Sequence, residues 1–148
     1  MPKPPDTGFE HGIPFMQSLG ATLVEWGPEH AQFALAIAPR HLNRSGVVHG
    51  GVYAVLADAA CGLSGCYSND PAQPRRAYTL SLTTSFLGAA AKGTLHALGK
   101  LRRRGRRIYF ATVEITGDEG ELLALGEGSF MYHNNPDGAV PSPAPPTR

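Results

Sequence analysis

The sequence predicts an α+β domain in which one long helix packs on a single face of an antiparallel sheet, and three observations carry that prediction. Residues 50–66 hold no Pro and no period-two alternation, only about four turns rich in Ala, Leu and Val, which reads as helix. Two β-rich runs precede this segment and four follow it, bounded by Gly, Pro, Asn and Asp. The order strand pair, helix, strand run leaves the helix one sheet face to cover. With 148 residues and 15.7 kDa there is room for one core and not for two.

Taken in order, residues 14–19 form a short helical turn. Residues 21–26 and 30–38 flank the Gly27-Pro28 turn as a hairpin, with Ala31, Phe33, Leu35 and Ile37 on one face of the second strand. After the helix and the polar loop SNDPAQPRR come strands at 77–87, 93–102, 106–116 and 121–133. The turn signals at Gly105 and Asp118-Glu119-Gly120 predict that these last four strands run as an antiparallel meander. Residues 1–11 and 134–148 are rich in Pro and small polar residues without an apolar period and read as tails, so the domain spans 12–133.

Composition narrows the function classes. Thirteen Lys+Arg against 12 Asp+Glu give a net charge of +1, without the global attraction to phosphate on which nucleic-acid binders rely. Two cysteines, Cys61 and Cys66, lie in no disulfide-scaffold or metal spacing and read as reduced, buried thiols. MPKPPDTGFEHG has neither the apolar core of a signal peptide nor transit-peptide character, which points to the cytoplasm. Residues 46–66 are apolar, but His49, Asp58 and several glycines would be costly in lipid, so they read as buried in protein, with no membrane role.

The helix lacks the charged stripe of an ordinary surface helix; only Tyr53, Asp58 and Ser64 are clearly polar. It therefore reads as enclosed by protein on nearly all sides, with Asp58 dehydrated on a face shared with Gly51, Ala54, Cys61 and Gly65. Such a carboxylate is a site residue, or else it pairs with an arginine such as Arg75 or Arg76. Just upstream, HLNRSGVVHGG brings Asn43, His49, Gly50 and Gly51 to the helix entry. Adjacent glycines allow close backbone approach, and the unsatisfied first-turn N–H groups suit an oxygen that becomes negative during attack. The same pair would also serve a plain tight turn. His49 orients the loop through a backbone hydrogen bond, acts as a base, or packs; the first is favoured. In AYTLSLTTSFL a strict alternation puts the hydroxyls of Thr79, Ser81, Thr83 and Ser85 on one face.

The string Asn43-x-x-Gly46-x-x-His49-Gly50-Gly51, followed by VYAVLADAACG with Asp58, strongly resembles the hotdog-fold acyl-CoA thioesterases of the phenylacetate-degradation type. The resemblance runs from Ile13 to Tyr132 and includes TLSLTTSFL and the terminal GEGSFMY. It implies a long central helix wrapped by an antiparallel sheet, homodimers joined edge to edge with the active site across their interface, and dimers paired into tetramers. Carried over residue by residue, it makes Asp58 the carboxylate that activates water or attacks the thioester. Gly50 then supplies the N–H that polarises the carbonyl, Asn43 orients the reacting groups from the opposite protomer, and Thr79 positions water or the carboxylate. Two departures, the missing proline in LGAAAKG and Ser81 at a position often acidic, bear on acyl selectivity rather than on this chemistry.

LRRRGRRI packs Arg102, Arg103, Arg104, Arg106 and Arg107 around one glycine. Alternating along a hairpin, about half could converge as a clamp for the phosphates of coenzyme A; the other reading is a charged edge that keeps the sheet soluble. The expected reaction is hydrolysis of an aryl-acetyl or medium-chain acyl-CoA to acid and CoA, with no metal and no cofactor beyond the CoA of the substrate. Phe15, Tyr53, Leu56 and Leu63 are candidates for the acyl pocket. The rival reading is a non-catalytic acyl-CoA binding or sensing module.

Overall fold

A computed structural model describes residues 12–70, 72–135 and 138–139 of the chain. Its elements are α1 (Pro14–Leu19), β1 (Ala21–Gly27), β2 (His30–Ala36), a 3-10 turn (Pro39–His41), α2 (Gly50–Ser64), β3 (Ala77–Phe86), β4 (Thr94–Arg104), β5 (Ile108–Thr116) and β6 (Leu122–Tyr132). The two-residue strands β7 (Asn134–Asn135) and β8 (Gly138–Ala139) pair with each other just beyond β6. The rest of both expected tails lies outside the described residues.

All neighbours in the six-stranded sheet are antiparallel, in the order β1-β2-β4-β5-β6-β3. This corrects the expected meander. The hairpins β4–β5 and β5–β6 form at the predicted turns, but β3 lies on the far edge beside β6. The physical reason is the link at 87–93, too long for a tight hairpin. It crosses the end of the sheet, held by Leu87 N–H and Gly88 N–H to the Leu123 carbonyl, Val48 N–H to the Ala90 carbonyl and Ile37 N–H to the Gly93 carbonyl.

The core is the layer between α2 and the sheet. Alternate residues of β5, Tyr109, Ala111, Val113 and Ile115, are fully buried against the helix, joined by Phe33, Leu35, Leu95 and Phe130 from the neighbouring strands and Leu56, Ala57 and Ala60 from α2. Gly99 of β4 is required there, because a Cβ on it would overlap the Ala60 carbonyl on the helix backbone.

The C-terminal end of α2 is saturated by side chains. Ser64 Oγ donates to the Cys61 carbonyl at 2.6 Å, Tyr109 OH to Gly62 at 2.5 Å, Trp26 Nε1 to Leu63 at 2.9 Å and Tyr132 OH to Gly65 at 2.8 Å. Arg104 braces this end, its Nε donating to Tyr132 OH at 2.8 Å and its Nη2 to the Gly65 carbonyl at 3.3 Å. Carbonyls that a helix end leaves orphaned thus find donors on β1, β4, β5 and β6.

The helix is not enclosed on all sides, contrary to the sequence reading. Val52, Tyr53, Leu56, Ala57, Ala60, Cys61, Leu63 and Ser64 are buried, whereas Gly51 is exposed and Ala54, Val55, Asp58, Ala59 and Gly62 are half-buried along one stripe. Cys61 and Gly65, expected beside Asp58, turn into the core. A sheet covers only one side of a helix, and here the uncovered side carries small residues in place of charges. None of the described helices is long and apolar enough to cross a membrane.

Candidate functional site

The loop entering α2 is ordered by its own side chains. Asn43 Oδ1 accepts from Ser45 N–H at 2.8 Å and from Val47 N–H at 3.4 Å, a local turn that also brings Asn43 N–H to the Val47 carbonyl at 2.7 Å. His49 is the N-cap, and its Nδ1 accepts from Gly51 N–H at 2.8 Å. The ring is therefore used to hold the backbone, as the favoured sequence reading had it. Because His49 occupies the Gly51 N–H, the first-turn donor left without a described partner is that of Gly50. A Cβ on Gly50 would stand 3.4 Å from the ring of Phe86, an exposed aromatic at the end of β3.

Two turns along the helix, Asp58 accepts a hydrogen bond of 2.6 Å from Thr79 Oγ1 on β3. No described ion pair joins it to Arg75 or Arg76, the alternative the sequence left open. Thr79 reaches Asp58 because of a bulge. The β3–β6 register runs Thr79 opposite Phe130 and then Ser81 opposite Ser129, leaving Leu80 as an extra residue. Before the bulge the odd-numbered Thr79 shares the helix-facing side with buried Phe130; after it the even-numbered Leu82, Thr84 and Phe86 take that side, opposite Gly128, Gly126 and Ala124. Ser81, Thr83 and Ser85 thus point away from the helix, and the single hydroxyl face expected from strict alternation is split. Asp58 and Thr79 open into a cavity of about 350 Å³ lined by Ile13, Ala59, Gly62, Leu63 and Phe130, with Arg75 and Arg76 at its edge. Of the expected acyl-pocket residues Leu63 is there, Tyr53 and Leu56 are core, and Phe15 is 61% exposed on α1.

The arginine run is divided by a second bulge. In the β4–β5 ladder Leu101 faces Ala111 and Arg103 faces Phe110, which leaves Arg102 over and turns Arg104 to the helix side, opposite buried Tyr109. Arg102 Nε instead donates to Thr112 Oγ1 at 2.7 Å. Arg104 and Arg106 line a groove of about 680 Å³ together with Arg75, Ser68, Asp70, Gln73 and Tyr132; Arg102, Arg103 and Arg107 are outside its lining. Sequence reasoning missed Arg75 as a partner of the arginine hairpin, and also both bulges. Arg75 shows no signal of its own, since only the β3–β6 pairing brings the 68–76 loop beside the hairpin.

Cys61 and Cys66 are buried free thiols. Burial, and then the nearby Asp58 charge, pushes the Cys61 thiol up from 9.0 to about 12, and burial raises Cys66 as well, so neither forms a nucleophilic thiolate near neutral pH. Among the described residues no three His, Cys, Asp or Glu side chains gather as a metal site requires. The titratable group in the Asp58 cavity with an oxygen available to a ligand is the carboxylate itself.

Known proteins share this architecture. A relative from Deinococcus radiodurans, provisionally named an esterase, is 34% identical over 128 residues, 85% of this chain and 84% of its own. The medium/long-chain acyl-CoA thioesterase YigI of Escherichia coli is 27% identical over 136 residues, 83% of this chain and 88% of its own. A mutant structure of the phenylacetic acid degradation protein PaaI from Thermus thermophilus superposes with a TM-score of 0.70 at 28% identity, over 80% of this chain and 98% of that one. The family described as "Thioesterase superfamily" matches residues 45–124, which contain His49, Gly50, Asp58, Thr79 and the arginine hairpin but not Asn43. With more than half of its length so matched, the chain belongs to the thioesterase superfamily and is a thioester hydrolase of the hotdog fold.

Proposed function

We propose that the protein hydrolyses acyl-CoA thioesters, with Asp58 as base or nucleophile and the Gly50 N–H as the oxyanion donor. The observation that carries this reading is the carboxylate of Asp58, fixed on one oxygen by Thr79 at 2.6 Å and open to an apolar cavity. Thr79 orients the carboxylate so that its second oxygen takes a proton from water as that water attacks the carbonyl carbon, or attacks the carbon directly. The carbonyl oxygen gains negative charge and is held by the N–H at the positive end of α2; collapse of the intermediate then expels the thiolate of CoA, and on the direct-attack route water afterwards cleaves the acyl anhydride left on Asp58, releasing the acid and restoring the carboxylate.

One chain does not complete this site. Gly50 and Asp58 are eight residues apart on α2, about 12 Å along its axis, whereas one thioester carbonyl must be within hydrogen-bond reach of both. A second copy therefore brings its Gly50, and Asn43 beside it, to the Asp58 of the first. The edge strand β3 supports that assembly: among the described residues nothing pairs with its outer edge, and Leu80, Phe86 and Leu87 are each more than half exposed. The proposed unit is a homodimer with two sites at its interface, paired further into a tetramer and working in the cytoplasm.

Free-thiol release from aryl-acetyl, benzoyl and C4 to C16 aliphatic CoA thioesters, by wild type and Asp58→Asn side by side, tests the reading. Turnover by the wild type that falls by about 10²–10⁴-fold or more in the mutant is the expected result. A mild loss overturns the role of Asp58, and binding without turnover by the wild type replaces the enzyme with a binding module. The aryl-acetyl arm tests affiliation with phenylacetate degradation, and the long-chain arm a preference like that in the name of YigI.

A further inference from the structure

We propose that the groove of Arg75, Arg104 and Arg106 holds the phosphorylated nucleotide of coenzyme A, an inference that rests on the acyl-CoA reading and adds a substrate-binding site to it. Arg75, Arg104 and Arg106 line a groove of about 680 Å³ in which Asp70 is the only carboxylate among the described residues, and that carboxylate already accepts from Ala72 N–H at 2.9 Å. The forked guanidinium matches phosphate oxygens two at a time, and three of them suit a ligand with phosphates at more than one position. Arg104 is fixed before any ligand arrives, by Tyr132 OH and the Gly65 carbonyl, which use only part of its N–H donors.

The groove and the Asp58 cavity are neighbours, with Arg75 in the lining of each. Their separation follows from the ladder. Thr79 lies opposite Phe130, Phe130 opposite Tyr109 and Tyr109 opposite Arg104, a row of three strand spacings or about 14 Å. That offset suits the pantetheine arm, which separates the thioester sulfur of acyl-CoA from its pyrophosphate. The first cavity offers Ile13, Leu63 and Phe130 to an acyl group, with Arg75 and Arg76 also in its lining, and the second offers arginines to phosphates, matching the two ends of such a ligand. The Arg102 bulge creates this arrangement, since strict alternation from Leu101 would turn Arg104 to the other face.

The test measures KM and kcat for one acyl group presented as its CoA thioester and as its N-acetylcysteamine thioester, with wild type, Arg75→Gln, Arg106→Gln and the double variant. Lys100→Gln, on the opposite sheet face, is the charge control, and thermal melts check folding. The expected result is a KM for acyl-CoA raised about tenfold by each single variant and further by the double, with kcat retained and, for Arg106→Gln, whose side chain is outside the lining of the Asp58 cavity, the N-acetylcysteamine reaction unchanged. Adenosine 3′,5′-bisphosphate should inhibit the wild type competitively and the double variant far less. Equal rises for both thioesters, or no rise in the CoA reaction, overturn the groove while leaving the acyl-CoA reading standing. A wild type that turns over the N-acetylcysteamine thioester but not acyl-CoA overturns both.

Discussion

The two ends of α2 are built on opposite plans. At the C-terminal end donors from four strands occupy the carbonyls of Gly62, Leu63 and Gly65, Ser64 of the helix itself occupies that of Cys61, and the arrangement is closed. At the N-terminal end the residues are glycines, one N–H is tied to His49, and that of Gly50 has no hydrogen-bond partner among the described residues. An unsatisfied, positively polarised backbone donor is a cost to a folded chain and an asset to a reaction that generates negative charge. The helix is anchored where it is closed, and its open end carries the donor on which the proposed chemistry relies.

The largest expected effect tests the open end. Gly50→Pro removes the N–H at the first helical position, where proline is conformationally suited, and Gly50→Ala keeps it while adding a similar bulk against Phe86. The proline variant should lose about 10²–10³-fold in kcat with its melting temperature nearly unchanged, and the alanine variant should lose far less. Equal losses in steady-state assays would assign the effect to bulk and break the comparison.

A smaller effect is expected at the closed end and in a different observable. Tyr109→Phe leaves the Gly62 carbonyl without its buried donor, so denaturation should show a loss of about 1–3 kcal/mol while kcat per folded molecule is retained. A fall in kcat without a fall in stability would show that the closed end also takes part in turnover.

The smallest effect concerns Cys61, one turn beyond Asp58. Its thiol holds its proton to about 12 in the native state against 9.0 ordinarily, so above pH 9 the unfolded chain binds fewer protons than the folded one. Its contribution is complete below pH 9 and is lost as pH rises toward 12. Chemical denaturation at pH 8 and at pH 10.5 should show a decline that is shallower in Cys61→Ala, and an unchanged slope would remove the thiol from the account.

Much of this contrast was legible in the sequence, and what was not has a common cause. The glycines after His49, the absence of charge on the helix and the lone Asp58 are local facts, read directly from neighbouring residues. The donors of the closed end are Trp26, Tyr109, Tyr132 and Arg104, scattered through the chain and related only by strand order. The link at 87–93 shows why order is hard to read: seven residues with glycine near either end serve a turn or a crossing, and long-range pairing chooses. Alternation fails at Leu80 and Arg102 for a similar reason, since a bulge is defined by the partner strand and not by the residue inserted.

The sequence by itself determined the elements, the lone carboxylate of Asp58 on the long helix and the glycines at its entry, because each depends on neighbours a few residues away. Only the tertiary structure decided that β3 lies beside β6, that Thr79 and not Ser81 meets Asp58, and that Arg104 and Arg106 join Arg75. Those outcomes rest on which backbones pair and in what register, and a shift of one residue sends a side chain to the opposite face of the sheet.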